Sequence, residues 1–199
     1  MSRGLRIAVA DDERDMRDFF REFLPPLGHM VVGTASTGAE LIALCRAERP
    51  DLIITDIKMP DTDGIDAARA VCRDRPVPVI LVSAFHDADL MERAEAVHVL
   101  AYLVKPIKAA DLAPAIGIAL RRFEQFQELR KESADLRQAL EDRKVIERAK
   151  GVLMKRAGLD EAEAFRRMQK LASEKSRKLA DIAAMILVAE EAVQPGDAG

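Results

Sequence analysis

Residues 7–13 read Ile7-Ala8-Val9-Ala10-Asp11-Asp12-Glu13, an apolar run that ends abruptly in carboxylates. The same pattern returns three times. Leu52 to Thr55 leads into Asp56, Val79 to Val82 into Ser83, and Leu100 to Val104 into Lys105. Short apolar runs closed by polar residues read as buried strands, and the longer amphipathic stretches between them read as helices. Strands that alternate with helices make a parallel, doubly wound α/β sheet. In such a sheet the carboxyl ends of the strands share one edge, where ligands bind. Asp11, Asp12, Asp56, Ser83 and Lys105 are therefore expected to meet there: three carboxylates, a hydroxyl and an ammonium.

Working outward, the first helix is expected from about Glu13 to Leu24, stopped by Pro25-Pro26. The second strand lies near Met30 to Ala35, and the second helix starts after Thr37 and ends before Pro50. A third helix follows Gly64, a fourth covers roughly Ala88 to Ala96, and a fifth begins near Ala109 with Pro114 near its start. Five βα units fill residues 1–122, an ordinary domain size.

From Leu112 to Arg156 only Pro114, Gly117 and Gly151 interrupt good helix formers. Phe126, Leu129, Leu136 and Leu140 fit heptad a and d positions, so residues 123–140 read as a helical linker or short coiled coil, packing either within one chain or between two. Residues 141–194 read as a three-helix all-α unit. Its first helix ends near Arg156 with Gly158 as the break. Asp160 and Glu163 form a capping box for the second helix, whose inward positions are Ala162, Phe165, Met168, Leu171 and Ala172. The third runs from about Leu179 to Ala192, with Leu179, Ile182, Ala183, Ile186 and Leu187 inward. Residues 195–199 are expected to be a disordered tail.

The net charge of -3 is unevenly distributed. Between Arg143 and Lys178 there are 12 basic residues against 5 acidic, whereas residues 179–199 hold 4 acidic and none basic. A basic block in an acidic chain points to a polyanionic partner for that block. No apolar stretch approaches a membrane span and no signal-peptide core opens the chain, so the expected location is the cytoplasm, without a membrane partner. Cys45 and Cys72 fall in expected helices without metal-ligand spacing and read as small buried residues. His29, His86 and His98 form no zinc pattern.

Three carboxylates in one pocket raise one another's pKa values unless a cation intervenes. Oxygen ligands with a few waters suit Mg²⁺. With a metal in place Asp56 stays ionised and can act as a nucleophile toward phosphorus. Lys105 and the metal would neutralise the transferring group, and Ser83 would hydrogen-bond one of its oxygens.

The elements VADDE (Val9 to Glu13), DIKMPDTDG (Asp56 to Gly64), VSA (Val82 to Ala84) and YLVKP (Tyr102 to Pro106) resemble the receiver domain of two-component response regulators. The resemblance implies a flavodoxin-like five-stranded sheet and a sensor histidine kinase as phosphodonor. It makes Asp56 the phosphoacceptor, and Asp11, Asp12, Asp56 and the Lys58 backbone carbonyl the Mg²⁺ site. Ser83, Ala84 and Lys105 would meet the phosphoryl group, the bond to Pro106 would be cis, and Ser83 and Tyr102 would form the switch pair. Serine stands where threonine is commoner, and Lys58 places a second cation near the site. A haloacid-dehalogenase-like phosphatase would want an aspartate where Lys58 stands, so Asp56 reads as a switch residue and not as part of a turnover enzyme.

Residues 136–192 resemble the ANTAR family of RNA-binding antitermination domains, through LEDRKVIERAKGVLMKRAG (Leu140 to Gly158), EAEAFRRMQKLA (Glu161 to Ala172) and RKLADIAAMIL (Arg177 to Leu187). That resemblance implies binding to RNA stem-loops in transcript leaders; self-association through the stalk is expected to give a homodimer when phosphorylated. Arg148, Lys150, Gly151, Arg156, Arg177 and Lys178 are the candidate RNA contacts: cations suit phosphates, and glycine admits a close backbone. Phe165 is the one aromatic residue in the block and belongs to the expected core, so base stacking is not its mode. A DNA-binding helix-turn-helix or a protein-interaction bundle is the alternative output.

Overall fold

A computed structural model describes residues 4–84 and 99–193, with the side chains of Val99 and Val193 left aside. The helix expected over Ala88 to Ala96, His86, His98 and the tail 195–199 lie outside the described residues.

The first unit spans Met1–Glu128. Its strands are β1 (Arg6–Ala10), β2 (Met30–Ala35), β3 (Leu52–Asp56), β4 (Val79–Ser83) and β5 (Val99–Val104). They pair in parallel in the order β2-β1-β3-β4-β5. This is the flavodoxin-like winding, whose order reverses between β1 and β3. Helices α1 (Arg14–Phe23), α2 (Gly38–Glu48) and α3 (Gly64–Asp74) sit between strands, and α4 (Ala109–Ala157) follows β5.

The two-residue period of the strands divides the core between the two faces of the sheet. Ala8, Ala10, Ile53, Val79 and Leu81 point to the face covered by Leu41 and Cys45 of α2 and by Ile65, Ala68 and Val71 of α3. Ile7, Val9, Ile54, Ile80 and Val82 point to the other, against Phe20 of α1 and Leu112, Ile116 and Ala119 of α4. Both faces are covered by apolar side chains from helices, which explains why the strands read as nearly continuous apolar runs. Cys45 and Cys72 are buried free thiols, and burial pushes Cys45 up to about 12.

Two glycines fix the loop after Asp56. A Cβ on Gly64 would stand 1.9 Å from the Asp56 carbonyl oxygen and 2.8 Å from Thr55 Oγ1. A Cβ on Gly38 would stand 2.2 Å from the Thr62 carbonyl. The loop is closed by the Gly64 amide donating to the Ile57 carbonyl at 2.9 Å and by the Asp63 side chain capping α3.

Helix α4 is 49 residues long and crosses from the first unit into the second, Leu129–Gly199. Pro114 is its sixth residue, past the first turn where proline loses nothing, so it lies deeper than the sequence led us to expect. Leu129, Leu136 and Leu140 are 60–65% exposed within the chain. α4 ends at Ala157, with Gly158 left-handed at φ 62°. It is followed by α5 (Glu161–Glu174) and α6 (Leu179–Val193). Both bonds of the Asp160–Glu163 capping box are made. Ala149, Met168 and Ala183, one from each helix, centre a small core with Val145, Ile146, Leu153, Leu179, Ile186 and Leu187 around them. On α5 the inward alanine is Ala164 and not Ala162, which is exposed. Ala164 is four residues before Met168 and shares its stripe, whereas Ala162 is six before it and turns away.

Gly64→Ala is expected to destabilise the first unit by about 1–3 kcal/mol, because backbone and not a movable side chain occupies the space. Urea denaturation of the purified variant checks this.

Candidate functional site

Asp56 ends β3, Asp11 and Asp12 follow β1, Ser83 ends β4 and Lys105 follows β5. The sheet register brings them together. Val9 pairs with Ile54, Asp56 with Val82 and Ser83 with Val104, so the strand ends line up. Lys105 Nζ stands 2.6 Å from Asp56 Oδ2, 2.7 Å from Glu13 Oε1 and 3.2 Å from Asp11 Oδ2. The Lys58 amide donates to Asp56 Oδ1 at 3.2 Å, and the Glu13 amide donates to Asp11 Oδ1 at 2.9 Å. Arg17 Nη1 donates to the Asp11 and Asp12 carbonyls at 2.7 and 2.9 Å, tying α1 to the loop that carries both carboxylates.

Glu13 was not among the residues expected at the site. Its signal was adjacency: a third carboxylate directly after the Asp pair, on the turn that enters α1. The neighbouring positions fare differently. Ser83 Oγ donates to the Ala84 carbonyl at 2.9 Å. Tyr102 is 36% exposed and lines a groove of about 600 Å³ with Val104, Pro114, Ile118 and Arg122. The Lys105-Pro106 bond is cis.

The charges are unequal in kind. Asp11 is fully buried, and burial, helped by the Asp56 carboxylate, raises its pKa to about 6 against the opposing Glu13 amide and Lys105. Burial also works against the Lys105 ammonium, but hydrogen bonds to Asp56 and Glu13 outweigh it and hold the amine above its ordinary range. Asp11 Oδ2 is buried without a hydrogen bond among the described residues; Lys105 meets it only as an ion pair. Asp11, Asp12, Glu13 and Asp56 each offer a carboxylate oxygen within 4.8 Å of the others. A buried carboxylate oxygen met only by the Lys105 ion pair, among clustered hard oxygens, fits a divalent cation such as Mg²⁺.

In the second unit the expected contacts separate into two groups. Lys150 is 8% exposed, its Nζ 2.7 Å from Glu161 and 2.9 Å from Glu147, and these glutamates raise its pKa. Arg156 makes a two-pronged pair with Glu190 of α6 at 2.9–3.1 Å. Both cations thus brace helices against each other. Arg177 Nη1 approaches Met185 Sδ at 3.8 Å. Arg148, Gly151 and Lys178 are exposed.

Comparison with known proteins adds to this geometry. Residues 7–117 match the family described as response regulator receiver domain, and residues 134–187 match the ANTAR domain. A curated relative, transcriptional regulatory protein PdtaR of Mycobacterium tuberculosis, is 40% identical over 182 residues, covering 92% of this chain and 89% of the relative. Among solved structures, the receiver domain of a modulated diguanylate cyclase from Desulfovibrio desulfuricans is similar at TM-score 0.57 and 26% identity, over 61% of this chain and 98% of that one. The signal receiver domain of NarL from Mycobacterium tuberculosis is similar at TM-score 0.54 and 27% identity, over 62% and 98%. The chain belongs to the two-component response regulators, with a receiver domain followed by an ANTAR domain. Among the described residues no helix is long and apolar enough to cross a membrane.

The raised Asp11 pKa sets a pH dependence. The folded protein holds this proton more tightly than the unfolded chain, whose value is near 3.8. The cost of ionising Asp11 is therefore absent below about pH 4 and complete above about pH 6. In magnesium-free buffer Asp11→Asn should be more stable than wild type at pH 7, by about 1–3 kcal/mol, and the gain should vanish toward pH 4. Millimolar Mg²⁺ should raise the wild-type melting temperature at pH 7 and leave the variant nearly unmoved.

Proposed function

We propose that this response regulator takes a phosphoryl group on Asp56 from a sensor histidine kinase and in consequence binds RNA stem-loops, acting in transcription antitermination. The observation that carries the first half is the position of Asp56 Oδ2, 2.6 Å from Lys105 Nζ and within the carboxylate cluster. Mg²⁺, held by Asp11, Asp12, Asp56 and the Lys58 carbonyl, would offset negative charge on the incoming phosphate. Asp56 attacks phosphorus through a carboxylate oxygen as the P–N bond to the kinase's phosphorylated histidine breaks and the imidazole departs, Lys105 moves from that oxygen to a phosphoryl oxygen, and Ser83 with the Ala84 amide completes the set of donors. Ser83 leaves the Ala84 carbonyl to do so, and Tyr102 turns inward behind it. Neither role is a turnover step: the chemistry stores an anion at a strand end.

In this reading residues 1–122 are the receiver, 123–140 a stalk, 141–194 the RNA-binding bundle and 195–199 a tail. The phosphorylated form pairs through the stalk, where Leu129, Leu136 and Leu140 stand exposed in the single chain. Two joined bundles gain affinity for paired hairpins because the second contact is intramolecular. Arg148, Lys150, Gly151, Arg156, Arg177 and Lys178 belong to the RNA-binding bundle. Lys150 and Arg156 act by holding its helices in place.

Asp56→Asn should take no label from a small radiolabelled phosphodonor under conditions that label wild type. In gel shifts the full chain should prefer stem-loop RNA to duplex DNA of equal length and weaken as salt rises. Equal affinity for both would contradict the RNA assignment, and a preference for DNA would favour a helix-turn-helix output.

A further inference from the structure

We infer that one stripe of α4, Lys144–Arg148–Gly151–Lys155, is where the phosphodiester backbone of a folded RNA makes its closest approach, with Gly151 as the point of contact; this rests on the RNA reading above. The four residues follow i, i+4, i+7, i+11 spacing and so share one helix face. All four are exposed. The opposite face, Val145, Ile146, Ala149 and Leu153, packs into the small core.

Gly151 is the informative member. It lies in mid-helix, where glycine weakens folding relative to alanine by about fivefold in the equilibrium. A buried glycine repays that by letting elements pack closely. Gly151 does not, because a Cβ there would meet nothing within 4 Å. The fold supplies no reason for the missing side chain, which is equally true of Gly117; what distinguishes Gly151 is an exposed cation one turn away on both sides, Arg148 and Lys155.

The flanking charges identify what approaches. Arg148 and Lys155 have no ion-pair or hydrogen-bond partner among the described residues, and Lys144 is paired only at the surface, 2.7 Å from Glu141. An identical helix crossing at Gly151 would set cation against cation. A polyanion meets a bare patch of backbone between two free cations, which bind phosphates on either side. Lys150 and Arg156, adjacent in sequence to this stripe, are engaged with Glu161, Glu147 and Glu190 instead.

Gly117 provides an internal control. It lies in the same helix, within the first unit, and its Cβ position is equally open. The full chain should be compared as wild type, Gly151→Ala, Gly117→Ala, Arg148→Gln and Lys155→Gln, against a pool of stem-loop RNAs with randomised loops. Both alanine variants should unfold at higher urea than wild type. Gly151→Ala should nevertheless bind the pool at least tenfold more weakly, and Gly117→Ala as wild type does. Arg148→Gln and Lys155→Gln should each lower the slope of log affinity against log salt by about 0.7–0.9. Wild-type affinity in Gly151→Ala, or a loss that tracks a change in sedimentation of the RNA-free protein, overturns the inference while leaving the RNA reading in place. Failure of wild type to bind the pool at all overturns both.

Discussion

The Lys105 ammonium is the interaction on which the receiver depends. It sits at 2.6–3.2 Å from three carboxylates that arrive on two different segments: Asp56 at the end of β3, and Asp11 and Glu13 after β1. Without that cation the buried Asp11 would lose the one neighbouring charge that opposes its protonation, and Asp56 would lose the ammonium that faces its carboxylate at 2.6 Å. Asp11 shows how close to the limit the site stands, at about 6 even with the ammonium in place. The same arrangement leaves the site responsive. A phosphoryl group on Asp56 brings new oxygens to a lysine already balanced between partners, so a small covalent change can redistribute its contacts.

The rest of the first unit serves that balance by fixing the backbone. Gly64 permits the chain to pass the Asp56 carbonyl at a distance no other residue allows, and Gly38 does the same for the Thr62 carbonyl. Arg17 holds the carbonyls of the Asp11–Asp12 loop. The second unit has a smaller core and relies more on polar struts: Lys150 to Glu147 and Glu161, Arg156 to Glu190, and the Asp160–Glu163 capping box. Removing one member of such a strut exposes or strands the other, so neutralising Lys150 or Arg156 alters helix packing as well as net charge.

The parts of this structure legible in the sequence were those governed by local period and punctuation. Apolar runs marked all five strands within a residue, Pro25 and Gly158 marked helix ends, and Asp160 with Glu163 marked a start. The convergence of Asp11, Asp56 and Lys105 followed from parallel topology, since that places strand ends on one edge. What escaped were side-chain contacts between elements. Glu13 reaches Lys105 across 92 residues, which no spacing rule encodes. Lys150 looked like one more cation in a basic run. Its burial follows from its place beside Ile146, Ala149 and Leu153 on the packed side of α4, and its partner Glu161 lies on the next helix. Ala162 and Ala164 have the same composition and differ only in phase relative to Met168, which the packing decides.

The central claim is that the charge state of Asp56 governs the grip of the basic bundle on RNA. The most direct measurement is the affinity of one preparation of the full chain for a fixed RNA hairpin, with Mg²⁺ present throughout, before and after loading with a small phosphodonor, with assembly state read by sedimentation on the same samples. The account predicts tighter binding after loading, by about tenfold, together with a shift from monomer to dimer. Identical affinity and identical sedimentation in the two states, at full occupancy of Asp56, would contradict it.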